Sequence, residues 1–168
     1  MDGIAILKEG FGRIPDLVAR AVADLDADQL ATMPSGIGNS VGWLIWHLVR
    51  VQDAQVADVA GHDQLWVADG WAHRFGMDPD PRDHGYGHTL DQVAAVRPES
   101  GQLLVQYLDT VHQRTCSYLD GLGDDDLDRI VDTRWDPPVT LGVRLVSIVD
   151  DDVQHAGQAA YVRGLLLG

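Results

Sequence analysis

One cysteine, Cys116, and one lysine, Lys8, are all that this chain of 168 residues holds of either type. A lone cysteine cannot close an internal disulfide, so the fold must rest on buried apolar surface, and a reducing, cytoplasmic setting is expected. No apolar run approaches the ~20 residues that span a bilayer. The N-terminus has no basic region followed by an apolar core, so no secretory leader is expected. Positive charge is also scarce, with 12 bases against 26 acids and a net charge of −14. Such a surface repels nucleic-acid phosphates and acidic membranes, and neither is expected as a partner. Eleven of the 12 bases are arginine, a bias of GC-rich bacterial genomes that bears on which cellular thiol is available.

What the chain does have is helix-type periodicity. Ile4, Leu7, Phe11, Ile14, Val18, Ala21 and Leu25 alternate three- and four-residue steps, which gathers them on one helical face. Pro15 lies inside that stretch and, lacking a backbone N–H, predicts a kink or a division. A second helix is predicted to start after Asn39 or Ser40, either a good N-cap, and to run through Leu44, Ile45, Leu48, Val51 and Val56 to Gly61. A third carries Leu104, Leu108, Val111, Tyr118 and Leu122 and ends near Gly121 or Gly123. The fourth runs from about Leu141 to Leu166, with Leu145, Ile148, His155 and Val162 on one stripe. With little strand-type alternation elsewhere, these four segments predict a single all-α domain over residues 1–168, an antiparallel four-helix bundle.

The connections are uneven. The link from the third helix to the fourth contains Trp135-Asp-Pro-Pro-Val. Between the second and third lie roughly forty residues, including Trp66, Trp71, Phe75 and Gly85-Tyr-Gly-His88. Connections of that length are uncommon in compact domains unless they serve a function. A long crossover loop is expected here, its aromatic residues covering a pocket mouth.

His47 lies within the strongly apolar Val41-Gly-Trp-Leu-Ile-Trp-His-Leu-Val-Arg50. In the fourth helix, Asp151 and His155 are four residues apart, about 40° in direction and ~6 Å along the axis, so both can reach one ion. Their face is shared with Ile148 and Val162 and points inward, where an unpaired acid and imidazole are costly. Asp152 is a rival to Asp151, and spacing alone admits both. The competing readings are a core histidine at position 47 satisfied by one hydrogen bond and a structural ion pair between Asp151 and His155. Two imidazoles and a carboxylate on inward faces of different helices suit zinc or another divalent transition ion. Three such ligands, with one coordination position open, are the architecture of a catalytic zinc site.

Other groups are weaker candidates. Arg50, one turn beyond His47, can bind a substrate carboxylate or pair with one of the many acids. His84 and His88 are four apart, but Gly85 and Gly87 place them in a loop, where contact with substrate is the better reading. Asp24-Leu-Asp-Ala-Asp28 lacks the turn glycine and terminal glutamate of a calcium loop and reads as a solvated helix end. Asp124 to Asp126 reads as a charge cluster at a helix N-terminus. Gly36-Ile-Gly38 is a weak anion-binding signal. Cys116 reads as core packing rather than as a nucleophile.

Trp46-His47-Leu48 on one helix, followed much later by Asp151-x-x-x-His155-x-Gly157-Gln158 on the last, resembles the DinB-like four-helix metalloproteins over nearly the whole chain. Gln52-Asp53, Gly70-Trp71 and Gly85-Tyr-Gly-His88 are similar to an actinobacterial, mycothiol-dependent branch of that family. The resemblance implies a metal held by His47, Asp151 and His155. The departure is Asp151, where histidine is commoner, although a thiol-dependent isomerase of the family has a carboxylate at the matching position. It implies a metal-dependent S-transferase that conjugates mycothiol to an electrophilic small molecule for detoxification, with Arg50 and His88 as residues that bind the thiol cofactor or the substrate's polar groups. A homodimer is compatible with this reading. The alternatives are a hydrolase of the same fold and a non-catalytic metal- or ligand-binding stress protein.

Overall fold

A computed structural model describes all 168 residues. The first predicted helix is present in two pieces, α1 (Gly3–Gly12) and α2 (Ile14–Val22). Pro15 falls in the first turn of α2, where a missing N–H costs nothing. Arg13, between them, keeps helical angles (φ −81°, ψ −24°), so the apolar face continues in phase. All seven residues of the predicted stripe, from Ile4 to Leu25, are buried. The acidic run that follows begins a helix rather than ending one. Asp26 and Gln29 form a reciprocal cap on the short α3 (Ala27–Ala31).

Helix α4 (Val41–Ala60) is capped by Ser40, whose hydroxyl accepts the Trp43 N–H at 3.1 Å, and it ends at Gly61, where φ is +71°. Every residue from Val41 to Asp53 is buried, as expected of a helix that is apolar all round. It is the central rod of the molecule, packed against α2 and α3, the later α8 (Gly101–Asp120) and α9 (Leu141–Leu167).

The long connection between α4 and α8 is not structureless. It contains α5 (Leu65–Ala68), α6 (Trp71–Arg74) and α7 (Leu90–Ala95). Its aromatic residues do not cover a pocket mouth. Trp66, Trp71 and Phe75 are buried against Tyr107 of α8, with ring centroids 5.0–5.8 Å apart, because indole and phenyl rings gain most by leaving water entirely. After α8 come a 3-10 turn (Asp124–Asp128) and an antiparallel hairpin of β1 (Ile130–Asp132) and β2 (Val139–Thr140). Strands of two and three residues are too short for alternation to reveal. Asp124 accepts the Ile4 N–H at 3.3 Å, so the acidic cluster serves the N-terminus of α1, remote in sequence.

The core has two apolar halves. The larger gathers α2, α5, α6, Leu30 of α3, Val93 of α7, the first halves of α4 and α8 and the end of α9. The smaller joins Ile4, Leu7 and Phe11 to Val56, Val59, Leu119, Leu141, Leu145 and Ile148. Between them, at mid-height, lies a polar layer: His47, Arg50, Gln52 and Asp53 on α4, Thr115 on α8, and Asp151, Asp152 and His155 on α9. Bundle cores place ligand and metal sites in such layers. No helix is long and apolar enough to cross a membrane.

Candidate metal centre

His47 reaches this layer from α4, and Asp151 and His155 reach it from α9. One ligating atom from each lies within 4.8 Å of the other two. His47 Nε2 is 4.0 Å and His155 Nδ1 3.3 Å from the same Asp151 oxygen, Oδ2. The two imidazole rings meet edge to face with centroids 4.5 Å apart.

The arrangement follows from how α9 is rotated. Leu141, Leu145, Ile148, Asp152, Ala156, Ala159 and Val162 form its buried stripe. Asp151 and His155 sit beside that stripe, half-buried, on the flank that faces His47. The inward face was therefore displaced by one residue from the sequence expectation. Asp152 occupies the deepest position, fully buried, with neither carboxyl oxygen hydrogen-bonded. Burial, aided by the neighbouring Asp151 charge, pushes its pKa well up. Of the two rival acids, Asp151 is the one gathered with the imidazoles.

The histidines are held from behind. The His47 ring stacks on Trp43 at 4.7 Å, and its Nδ1–H is donated to the backbone carbonyl of His84. That tautomer leaves the Nε2 lone pair facing Asp151. His155 Nδ1 is 2.8 Å from the carbonyl of Asp151 in its own helix. Burial lowers the His47 pKa, with the His84 carbonyl offsetting part of the effect. Burial acts in the same sense on His155, but the Asp151 carboxylate outweighs it and the net shift is upward.

The donor set fits a divalent ion. Asp151 Oδ2 is buried without a hydrogen-bond partner beside two imidazoles, an orphan acceptor that a cation would satisfy. Zinc bonds of about 2.0–2.2 Å place tetrahedral ligand atoms roughly 3.3–3.6 Å apart, so modest side-chain rotation closes this triad on one ion. A carbonyl behind a ligand imidazole is the usual orienting contact in such sites.

Arg50 and His88 occupy different positions. Arg50 is 0% exposed, and of the two roles open to it the structure shows pairing with an acid. Its guanidinium is 3.5 Å from Asp53 and donates to the carbonyls of Pro81 and Asp83, to Gln64 and to Tyr107. Its face also covers Trp66 at 4.7 Å. Asp53 in turn accepts the N–H groups of Leu65 and Trp66 and the Tyr107 hydroxyl. His88 accepts the Trp43 indole N–H at 3.1 Å, and its Nε2 is 2.8 Å from Asp83. Both residues thus pin the segment from Pro81 to His88 onto α4.

That segment forms one wall of the site. Gly85 has φ +92°, and a Cβ there would lie 2.9 Å from His47 Nδ1 and 3.0 Å from the Trp43 and Trp46 rings. The sequence reading missed Gly85 and the His84 carbonyl as parts of the site. A carbonyl carries no residue-type signal, although a glycine in a histidine-rich loop was a usable hint of close backbone approach.

Residues 11–159 match the DinB superfamily. The chain belongs to that superfamily. A solved structure, of the conserved protein of locus from Enterococcus faecalis, is similar to the chain, with 35% identity and a TM-score of 0.92, covering 100% of this chain and 99% of its own. No protein of curated function matches the chain. Membership and the near-complete superposition bear out the helical-bundle reading, and the structural likeness extends across the whole chain.

Proposed function

We propose that this DinB-superfamily chain is a divalent-metal-dependent thiol S-transferase that joins a small thiol to an electrophilic small molecule in detoxification. The observation that carries this reading is the triad of His47, Asp151 and His155, three ligating groups from two helices around one point. Three protein ligands are the number catalytic zinc sites use, the fourth position being left for a ligand from solvent. Zinc suits the donor set best. When bound, the ion supplies positive charge that converts a thiol of pKa about 8.5 to its thiolate at neutral pH.

The chain's own residues do the positioning. His47 and His155 would offer imidazole nitrogens to the ion, and Asp151 a carboxylate oxygen. The His84 carbonyl keeps His47 turned with Nε2 toward the triad. Trp43 and the segment around Gly85 shield one side of the ring from water. In the transfer, the thiol sulfur forms a bond to the electrophile's carbon, the leaving group departs with its electron pair, and the thiol proton passes to solvent. Cys116 is not needed as a nucleophile; it is half-buried on α8, and burial pushes its thiol pKa up. Mycothiol is the favoured thiol, on the family likeness and the arginine-over-lysine bias.

The test is conjugate formation from mycothiol and a bromobimane electrophile, followed by fluorescence with and without chelator. The expected rate follows zinc content and falls to the uncatalysed value on chelation. Equal rates in the two conditions eliminate the proposal, and turnover without any thiol reassigns the site to hydrolysis. Elemental analysis of protein purified without added metal identifies the ion.

A further inference from the structure

Helix α9 carries apolar residues on two faces, and the bundle covers only one of them. Opposite the buried stripe run Val146, Asp150, Val153, Gly157, Ala160 and Gly164, all exposed and alternately four and three residues apart. That spacing keeps a straight seam along a helix that packs on another helix. Val146 and Val153 are 59% and 44% exposed, and Tyr161, on the flank of the seam, is 70% exposed. Asp150 is the one charged residue among the exposed positions of α9. The outer face of α8 has the opposite character. Every exposed residue there, from Gln102 to Asp120, is glutamine, aspartate or serine.

The seam of α9 is complementary to itself. Its valines lie toward one end and its glycines toward the other, and no atom lies within 4 Å of where a Cβ would stand at Gly157 or Gly164. Laid antiparallel on a second copy and centred at the level of residue 155, the seam sets Val146 opposite Gly164, Val153 opposite Gly157 and Asp150 opposite Ala160. Each valine fills the gap left by a glycine, and two-fold symmetry repeats every such contact. The two Asp150 carboxylates then stand about 15 Å apart along the seam, beyond the Debye length of about 8–10 Å. A parallel pair instead sets Asp150 against Asp150 and glycine against glycine, joining like charges and leaving voids. On a chain of net charge −14, most of the surface repels a second copy, and this nearly uncharged face is the one that admits it.

We propose that the outer face of α9 is the interface of a two-fold homodimer in which the two α9 helices pack antiparallel. The 27 residues of α9 form a strip about 40 Å long and one helix diameter, about 10–12 Å, wide. Ile6, exposed on α1 one turn before Gly10, widens it, because Gly10 packs on Val149 of α9. The two copies together cover roughly 1,000 Å2, the low end of specific interfaces, which corresponds to association in the micromolar range. The pairing is independent of the metal reading.

Sedimentation of the full chain over a range of concentrations provides the test. Monomer is expected to give way to dimer in the micromolar range. Val153→Glu places a carboxylate at two symmetry-related points of the seam and weakens association at least about a hundredfold. Helicity stays the same, because position 153 faces solvent within one copy. Gln106→Glu, the same charge on the outer face of α8, leaves association unchanged. Disulfide trapping in a Cys116→Ser background reads the direction of the pairing. Val146→Cys and Gly164→Cys each hold their thiol about 27 Å from its symmetry mate. Neither variant links to itself, and an equal mixture of the two forms a covalent dimer on oxidation. A chain that stays monomeric far above micromolar concentration overturns the proposal and leaves the face to a different protein. A Val153→Glu dimer as tight as the unmodified one overturns it by placing the interface elsewhere. Self-linking of Val146→Cys with no linkage in the mixture overturns the antiparallel pairing.

Discussion

The backbone carbonyl of His84 accepts the Nδ1 hydrogen of His47, and the next residue, Gly85, lies directly against the same imidazole. A loop far from α4 in sequence thereby sets the tautomer and the tilt of one metal-binding ring. The loop is anchored in turn by Arg50, through the carbonyls of Pro81 and Asp83, and by His88, through Trp43 and Asp83. Arg50 and His88, both expected at a cofactor, are seen here holding the wall that orients His47.

Gly85→Ala tests that coupling. At φ +92° an alanine is strained, and its Cβ would sit 2.9 Å from His47 Nδ1, so loop and ring must separate. Loss of an orienting contact behind a ligand typically costs 10- to 100-fold in metal affinity, and zinc competition against a chelating dye is expected to read a loss in that range. The accompanying strain should cost about 1–3 kcal/mol of stability in urea unfolding. Unchanged zinc affinity would show that the wall does not position His47.

Much of this was legible in the chain because local physics wrote it there. Ser40 and Gly61 bound α4 by capping chemistry, and the stripe from Ile4 to Leu25 survives the break before Pro15 because Arg13 stays helical. His47, Asp151 and His155 were legible as a group because the (i, i+4) spacing and apolar flanks are sequence-local facts. The rest depends on rotation and on distant contacts. Whether Asp151 or Asp152 faces α4 differs by one residue's turn, about 100°, too fine for a pattern averaged over a stripe. Arg50 and His88 find partners from Pro81, Asp83, Gln64 and Tyr107, which no spacing along α4 reveals.

The Arg50–Asp53 pair is expected to matter for folding rather than for ligand binding. Their side chains are 0% and 2% exposed, so solvent screens neither. Asp53→Ala leaves a buried guanidinium without its carboxylate and deprives Leu65, Trp66 and Tyr107 of an acceptor. Breaking a buried pair from one side costs about 3–5 kcal/mol, and urea denaturation should show a loss of that size. A change below about 1 kcal/mol, within the range of surface pairs, would contradict this account of the layer.

Two carboxylates make stability depend on pH in opposite senses. The Asp132 pKa is depressed by hydrogen bonds from Arg134, with the charges of Arg134 and Arg144 assisting. Its contribution is present above the unfolded value of about 3.9 and is lost as pH falls toward its lower folded value. Asp152 is raised by burial, so its contribution is complete below about pH 3.9 and is lost as pH climbs toward its higher folded value. Melting curves of metal-free Asp132→Asn should therefore approach the unmodified protein in acid and fall behind it near neutrality. Those of Asp152→Asn should show the reverse, gaining on the unmodified protein as pH rises from 4 toward 7. Parallel curves across that interval would sink the assignment of either shift.

Zinc linkage separates the two adjacent aspartates. A ligand that binds only the folded state stabilises it by about 2.7 kcal/mol at one hundred times its Kd. For a domain of this size each kcal/mol moves Tm by roughly 2–4 °C. Zinc is thus expected to raise the melting temperature of the unmodified protein by several degrees, and chelator should reverse the gain. His47→Ala, His155→Ala and Asp151→Asn each remove one arm of the triad and should abolish the zinc-dependent shift while leaving helicity intact. Asp152→Asn alters a group whose oxygens point into the fully buried stripe of α9, so its shift should persist. If Asp152→Asn loses the zinc response and Asp151→Asn keeps it, the rotation of α9 described here is wrong at the one place where it decides the chemistry.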